Sequence, residues 1–410
     1  MDNCCCVLLL RTLSSFIHEK VVDMTKHAIC RPSAKLLPLL SLLAGLAGMS
    51  PAWAVPGVTP TSIVLGQSAA LSGPSRQLGT EMRDGALAYF DAVNANGGVA
   101  GRKIVLKTLD DGYEPERAAA NTRELIGAAG AFALFGYVGT PTSNAAMPLV
   151  TKEDLPFFAP LTGAEALRVP FQPNVFNIRA GYVPEMEKIV ENLQGMGVKK
   201  IAVFYQNDAY GKAGLDAVER ALKKRKLTVM ATATVERNST EVTAAVAKLR
   251  ALQPPAVIIV TAYASSAAFI RAMRKDAVSL PYFWNISFVG SQALAGALGA
   301  DARGVMVSQV IPSPWDNKSA LVKQYKQLYL SKPGRQPGFV SFEGFIAAKT
   351  FVEGLQRAGN NLTRASFTKA VESMHTLDLG GFVLKFSDTN HNASDYVDLT
   401  VIRNDGSFMY

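Results

Sequence analysis

Short apolar runs alternate along this chain with longer amphipathic stretches, and that alternation decides most of what it can fold into. SIVLGQ, KIVLKTL, AFALFGYV, LPFFA and NVFNI read as short strands. Between them, residues 79–96, 115–129 and 142–152 carry Ala, Glu, Leu and Arg at helical spacing. A second series starts after Arg179: a helix near 184–196, the strand KIAVFYQ and a helix from Tyr210. It continues with LTVMATATV, a helix at 240–252, AVIIVTAY, a helix at 264–276 and LPYFWNI. Strands alternating with helices require parallel sheets covered on both faces. Two series therefore predict an α/β protein with two doubly wound parallel-sheet lobes. No long linker separates them, so the hinge is tight. VMVSQVIPSPWD, after Gly304, reads as a second crossing, and helices at 317–330 and 340–358 return to the first lobe. GGFVLKF and YVDLTVI then alternate as strands that close the second lobe.

The first 54 residues read as a leader, not as fold. From Met24, MTKHAICRPSAK is a basic segment, and LLPLLSLLAGLAGM is an apolar run short for a bilayer span. Ala52-Trp53-Ala54 has the small-x-small pattern of a signal-peptide cleavage site. Met24 is the better initiator, with Val55 as the mature N-terminus. Cys4, Cys5, Cys6 and Cys30 all precede that point, so the mature chain has no disulfide, thiol nucleophile or cysteine-ligated metal. Only His375 and His391 follow it, without paired-His spacing, and no metal or cofactor is expected. His391, in DTNHNASD, reads as a turn residue.

The chain has 42 Lys+Arg against 33 Asp+Glu, a net charge of +9. Removing the five basic and three acidic residues before Val55 leaves +7. The densest runs, Lys199-Lys200 and Lys223-Lys224-Arg225-Lys226, lie at helix-to-strand junctions, where cations offset the helix dipole. No nucleic-acid partner is expected.

Two loops stand out: Gly139-Thr140-Pro141-Thr142-Ser143 and Pro160-Leu161-Thr162-Gly163-Ala164. Each follows an apolar run and precedes a helical stretch, the place where an open parallel sheet binds ligands. Free N–H groups and the positive helix end suit a carboxylate, and threonine adds a hydroxyl. Simple N-capping is the competing reading. Asn96–Gly101 is glycine-rich but follows a helix and precedes a strand, the reverse of a dinucleotide loop. Asp110-Asp111, at a strand end before Gly112 and Pro115, reads as capping and turn-making. No Walker A sequence or GxSxG elbow occurs.

Taken in order, Ala70-Leu71-Ser72-Gly73-Pro74 with Gly79, the Asn96–Gly101 turn, Asp110-Asp111 with Pro115 and Ala118, the Gly139 loop, Asp208-Ala209-Tyr210-Gly211 and the tail around His391 carry a family likeness. From Thr59 onward the chain resembles the type I periplasmic solute-binding proteins of the branched-chain amino acid (Leu/Ile/Val-binding) family, which serve ABC importers. The resemblance implies two lobes joined by a three-crossing hinge, residues 55–180 plus 313–377 and residues 181–312 plus 378–410. Thr140 then supplies a hydroxyl to the ligand carboxylate. Leu161, Thr162 and Gly163 hold carboxylate and amine, and Tyr210 and Tyr263 close over the ligand from the second lobe. Two positions depart from the pattern. Leu78 stands where amino acid binders often carry Tyr, and Ser287 (or its neighbour Asn285) stands where an acid commonly meets the α-ammonium. A buried ammonium without an anion is costly. The pocket then favours a carboxylate lacking an amine, or meets the amine with carbonyls and hydroxyls. The implied function is a non-enzymatic, monomeric periplasmic binding protein. It delivers an amino acid or related small carboxylate to an ABC permease of the inner membrane. The alternative is a soluble ligand-sensing receptor domain that reports to a signalling partner without transport, and gene neighbours separate the two.

Overall fold

The computed structural model describes residues 55–410 except Val278, and the leader and cleavage site expected before Val55 lie outside the described residues. The first sheet is built from β1 (Ser62–Ala69), which is followed by α1 (Arg76–Ala95), and from β2 (Lys103–Asp110), followed by α2 (Pro115–Ile126). Next come β3 (Ala133–Phe135), α3 (Thr140–Lys152), β4 (Phe157–Phe158) and β5 (Val175–Phe176). The strands are parallel in the order β2-β1-β3-β4-β5. β3 is apolar and fully buried, and β1 is mostly buried, because helices cover both faces, as a parallel sheet requires.

The chain then passes to α4 (Tyr182–Gly195), β6 (Ile201–Gln206), α5 (Ala209–Lys224), β7 (Ala231–Val235), α6 (Thr243–Leu252) and β8 (Ala256–Val260). It continues through α7 (Tyr263–Arg274), β9 (Tyr282–Asn285), α8 (Ser291–Leu298) and β10 (Met306–Gln309). β8, AVIIV, is buried at every residue, which is why it reads as an unbroken apolar run. At the end of α5, Lys224 and Arg225 each lie 2.7 Å from Glu187, so that basic run is tied into its own lobe.

A second crossing carries α9 (Ala320–Tyr329) and α10 (Phe339–Ala358) back onto α1. Gly85 and Gly344 let the two backbones touch, since a Cβ on either would come within 2.2 Å of a carbonyl oxygen, that of Ser341 or Met82. α11 (Arg364–Glu372) follows, opened by a capping box on Thr363 and Ser366. After β11 (Leu377–Asp378) and β12 (Val383–Leu384), the chain crosses a third time, into β13 (Asp398–Ile402) and β14 (Phe408–Met409). The second sheet runs β14-β13-β10-β9-β8-β6-β7, with β13 antiparallel to both of its neighbours, β10 and β14.

One expectation for the tail changes. YVDLTVI joins the second sheet as β13, but GGFVLKF does not close that lobe; it pairs with β11 in a separate hairpin. Its apolar side faces the first sheet, with Phe386 6.2 Å from Phe176. Asn177 then donates to the His391 carbonyl and accepts from Ala393 N. The return to the second sheet therefore comes at β13. His391 directly follows the turn closed by Ser387 and Asn390 and is buried: its ring stacks on Phe176 at 4.0 Å and its Nε2 lies 3.2 Å from Glu372.

Candidate functional site

The two loops singled out by sequence are joined to each other. Gly139 N donates to the Leu161 carbonyl and Leu161 N to the Tyr137 carbonyl, so backbone pairing extends beyond β3 and β4. Gly139 has φ +101°, and a Cβ there would come within 2.2 Å of the Tyr113 ring. Glycine lets that ring lie directly on the loop. Gly139 provides no side-chain cap for α3, so the first turn keeps free amides and a positive dipole end.

Beside that turn runs a chain of hydroxyls. Thr140 Oγ1 is 2.7 Å from Thr162 Oγ1, which is 3.2 Å from the Tyr182 hydroxyl. Thr162 Oγ1 also accepts from Ala164 N. Three hydroxyl protons serve two contacts between them, which leaves one to donate outward. Tyr182 opens α4, and its amide donates to the Gly163 carbonyl at 2.7 Å. Tyr210 opens α5, where the Asp208 side chain caps the helix by accepting from Tyr210 N at 2.9 Å. The Tyr210 ring packs 5.7 Å from Tyr182 and 4.6 Å from Phe288, and its buried hydroxyl has no protein partner.

Arg179, on the first crossing, is 1 % exposed. Its Nη2 donates to Ser287 Oγ and lies 4.0 Å from Glu185, while its Nε lies 3.6 Å from Glu343 of α10. Nη1 has no protein partner. Glu185 accepts from Ser287 N and Oγ, each at 2.9 Å, and from Ser308 Oγ at 2.6 Å. Burial pushes both carboxyls up, and Arg179 draws each back toward ionisation. Burial also works against the Arg179 charge, but Glu343 and Glu185 hold the guanidinium above its ordinary value. Arg168 donates to the carbonyls of Thr162, Ala164 and Arg179, tying the second loop to the crossing.

The structure thus brings Thr140, Leu161, Thr162, Gly163, Tyr210 and Ser287 into one buried region. Leu78 and Tyr263 make their contacts elsewhere along the lobe junction: Leu78 against Gly290, and Tyr263 beside Gln77 and Arg76 of α1. Ser287 does not leave the region without an acid, because Glu185 and Glu343 bring carboxylates from other helices. Asn285 is occupied within the second sheet, accepting from Ser266 at 2.7 Å. Sequence reasoning missed Tyr113, Arg179, Tyr182, Glu185, Phe288 and Glu343. Arg179 had a local signal, a cation directly after the apolar strand NVFNI.

Two parallel-sheet α/β lobes, three crossings and a polar region where the lobes meet define the type I periplasmic binding protein fold. The chain belongs to the periplasmic binding protein family, whose model matches residues 62–407. A possible leucine/isoleucine/valine-binding protein from Rhodopirellula baltica superposes with a TM-score of 0.82 at 33% identity, over 88% of this chain and 98% of that one. A substrate-binding periplasmic protein from Ralstonia solanacearum gives 0.80 at 30% identity, over 84% and 99%. Leu/Ile/Val-binding protein homolog 3 of Brucella melitensis is 23% identical across 89% of this chain and 96% of its own length.

Proposed function

We propose that this protein is the periplasmic substrate-binding component of an ABC importer. It captures an amino acid or related small carboxylate between two closing lobes and hands it, chemically unchanged, to an inner-membrane permease. The leader read before Val55 takes it to the periplasm. One observation carries the ligand class: donors without acceptors converge in one buried region. They are the Tyr210 hydroxyl, Arg179 Nη1 and the spare proton of the Thr140–Thr162–Tyr182 chain. Unsatisfied buried donors are costly, and a carboxylate oxygen answers several at once. Thr140, Thr162 and Tyr182 meet the carboxylate beside the positive N-terminal end of α3, and Arg179, whose charge Glu185 and Glu343 already balance, offers its partnerless Nη1 as a donor. Leu161 and Gly163 shape the second loop, while Tyr263 and Leu78 seal the lobe junction. The lobes move as rigid bodies about the crossings.

A thermal-shift screen of amino acids, keto acids and aliphatic and aromatic acids, followed by calorimetry, tests the ligand class. A ligand at 100 times its Kd adds about 2.7 kcal/mol of stability. Failure of every carboxylate to stabilise the protein would refute this reading. Loss of uptake of the identified ligand on deletion of the gene tests the transport role.

A further inference from the structure

We propose that Phe288 and Tyr113, meeting from opposite lobes, limit the length of the ligand, so that the site selects compact, short-chain carboxylates. This inference rests on the carboxylate reading above and adds a size limit to it.

The residues around the donors form a closed circuit of contacts. The Tyr113 ring lies on Gly139 and 6.0 Å from Phe288. Phe288 packs 4.6 Å from Tyr210, and Tyr210 5.7 Å from Tyr182. The Tyr182 hydroxyl meets Thr162, and Thr162 meets Thr140, next to Gly139. Tyr113, Phe288, Tyr210, Tyr182, Thr140 and Thr162 are each no more than 1 % exposed. Half of the circuit is polar, and Arg179 reaches it through Ser287, the neighbour of Phe288. The other half consists of aromatic faces. A carboxylate held on the polar half must direct the rest of the molecule toward those rings.

The rings are anchored. Tyr113 N donates to Asp111 at 2.7 Å, and its hydroxyl accepts from Gln206 Nε2 of the second lobe at 3.3 Å. Asp111 is in turn hydrogen-bonded by Ser68 at 2.7 Å. Phe288 sits in the short 3-10 turn Ser287–Val289, whose first residue is fixed to Glu185 by two hydrogen bonds. A wall pinned on both sides cannot retreat for a longer chain without giving up cross-lobe contacts. Overpacking such a wall is disfavoured, and discrimination by apolar volume follows.

Calorimetry with two probe series tests the proposal: straight-chain monocarboxylates from acetate to decanoate, and straight-chain α-amino acids from glycine to 2-aminodecanoate. Wild-type protein should bind the short members of at least one series and lose affinity sharply as the chain lengthens. Phe288→Ala should move that limit outward and gain about 10- to 200-fold for chains just beyond it. Phe288→Leu, which keeps an apolar side chain should the alanine variant fold poorly, should move it less in the same direction. Thr140→Val should instead weaken every member alike. A folded Phe288 variant with an unmoved limit, or wild-type protein that prefers decanoate to propionate, would overturn the proposal while leaving the carboxylate reading intact. If no member of either series bound wild-type protein, the size limit would fall, and the carboxylate reading would fall with it only if the keto and aromatic acids of the screen failed as well.

Discussion

Removing one oxygen from Tyr210 separates a ligand contact from a structural one. The ring is held by Phe288 at 4.6 Å and Tyr182 at 5.7 Å, so Tyr210→Phe leaves its packing in place. The hydroxyl is buried without a protein partner. Burial, reinforced by Tyr182 and Tyr113, pushes its pKa well above the usual tyrosine value, so it stays protonated and acts as a donor. A hydrogen bond to a charged group contributes about 1.5–3 kcal/mol. Its loss should raise Kd about 10- to 150-fold, at roughly 1.4 kcal/mol per tenfold. Stability of the ligand-free protein should stay the same or rise, because an unpaired buried polar group costs about 1–3 kcal/mol. Calorimetry with the ligand from the screen and urea unfolding without it measure the two effects. Unchanged affinity together with reduced ligand-free stability would refute the reasoning, because the hydroxyl would then serve the fold and not the ligand.

Three further outcomes follow from other parts of the lobe junction. Glu114 of the first lobe accepts from Arg237 at 2.8 Å and from Asn238 at 2.7 Å, both of the second lobe, so Glu114→Gln should loosen closure. Partly exposed ion pairs contribute about 0.2–1 kcal/mol, so stopped-flow release should quicken up to about fivefold, less at high salt, and an unchanged rate would exclude this contact. Burial pushes Glu81 up to about 7, against the hydrogen bond from Gln77 and with a smaller push from Asp84. Its folded value lies above the ordinary 4.5, so its contribution is greatest at low pH and is lost as pH rises through about 7. Glu81→Gln should flatten that stretch of the Tm–pH profile, and an unaltered slope would place its origin elsewhere. Ser287→Glu would set a third carboxylate beside Glu185 and Glu343, and a cost of about 3–5 kcal/mol in urea unfolding is expected. A variant as stable as wild type would show that the cluster accommodates further negative charge.

The parts of the fold that were legible share one physical property. Strands such as AVIIV and AFALF are covered on both faces, so their burial is written as continuous apolar sequence. SQALAGAL, which forms α8, has no charged face to contrast with its buried one, and its small residues gave no clear period. GGFVLKF has a strand pattern, but nothing local says which sheet it faces; Phe176 decides that from far along the chain. The site divides in the same way. Thr140 and Thr162 stand in loops after apolar strands, where position alone marks them, and Tyr210 was marked by the family resemblance. Arg179 and Glu343 become partners only when α10 folds back over α1, and no spacing encodes that meeting.

The backbone contact between α1 and α10 bears on how such a chain is made. Gly85 meets Ser341 and Gly344 meets Met82, so the core beside β1 is complete only when sequence from both sides of the whole second series is present. A growing polypeptide of this topology cannot finish its leading half first, as chains with consecutive domains do. Until α10 emerges, α1 lacks its covering helix.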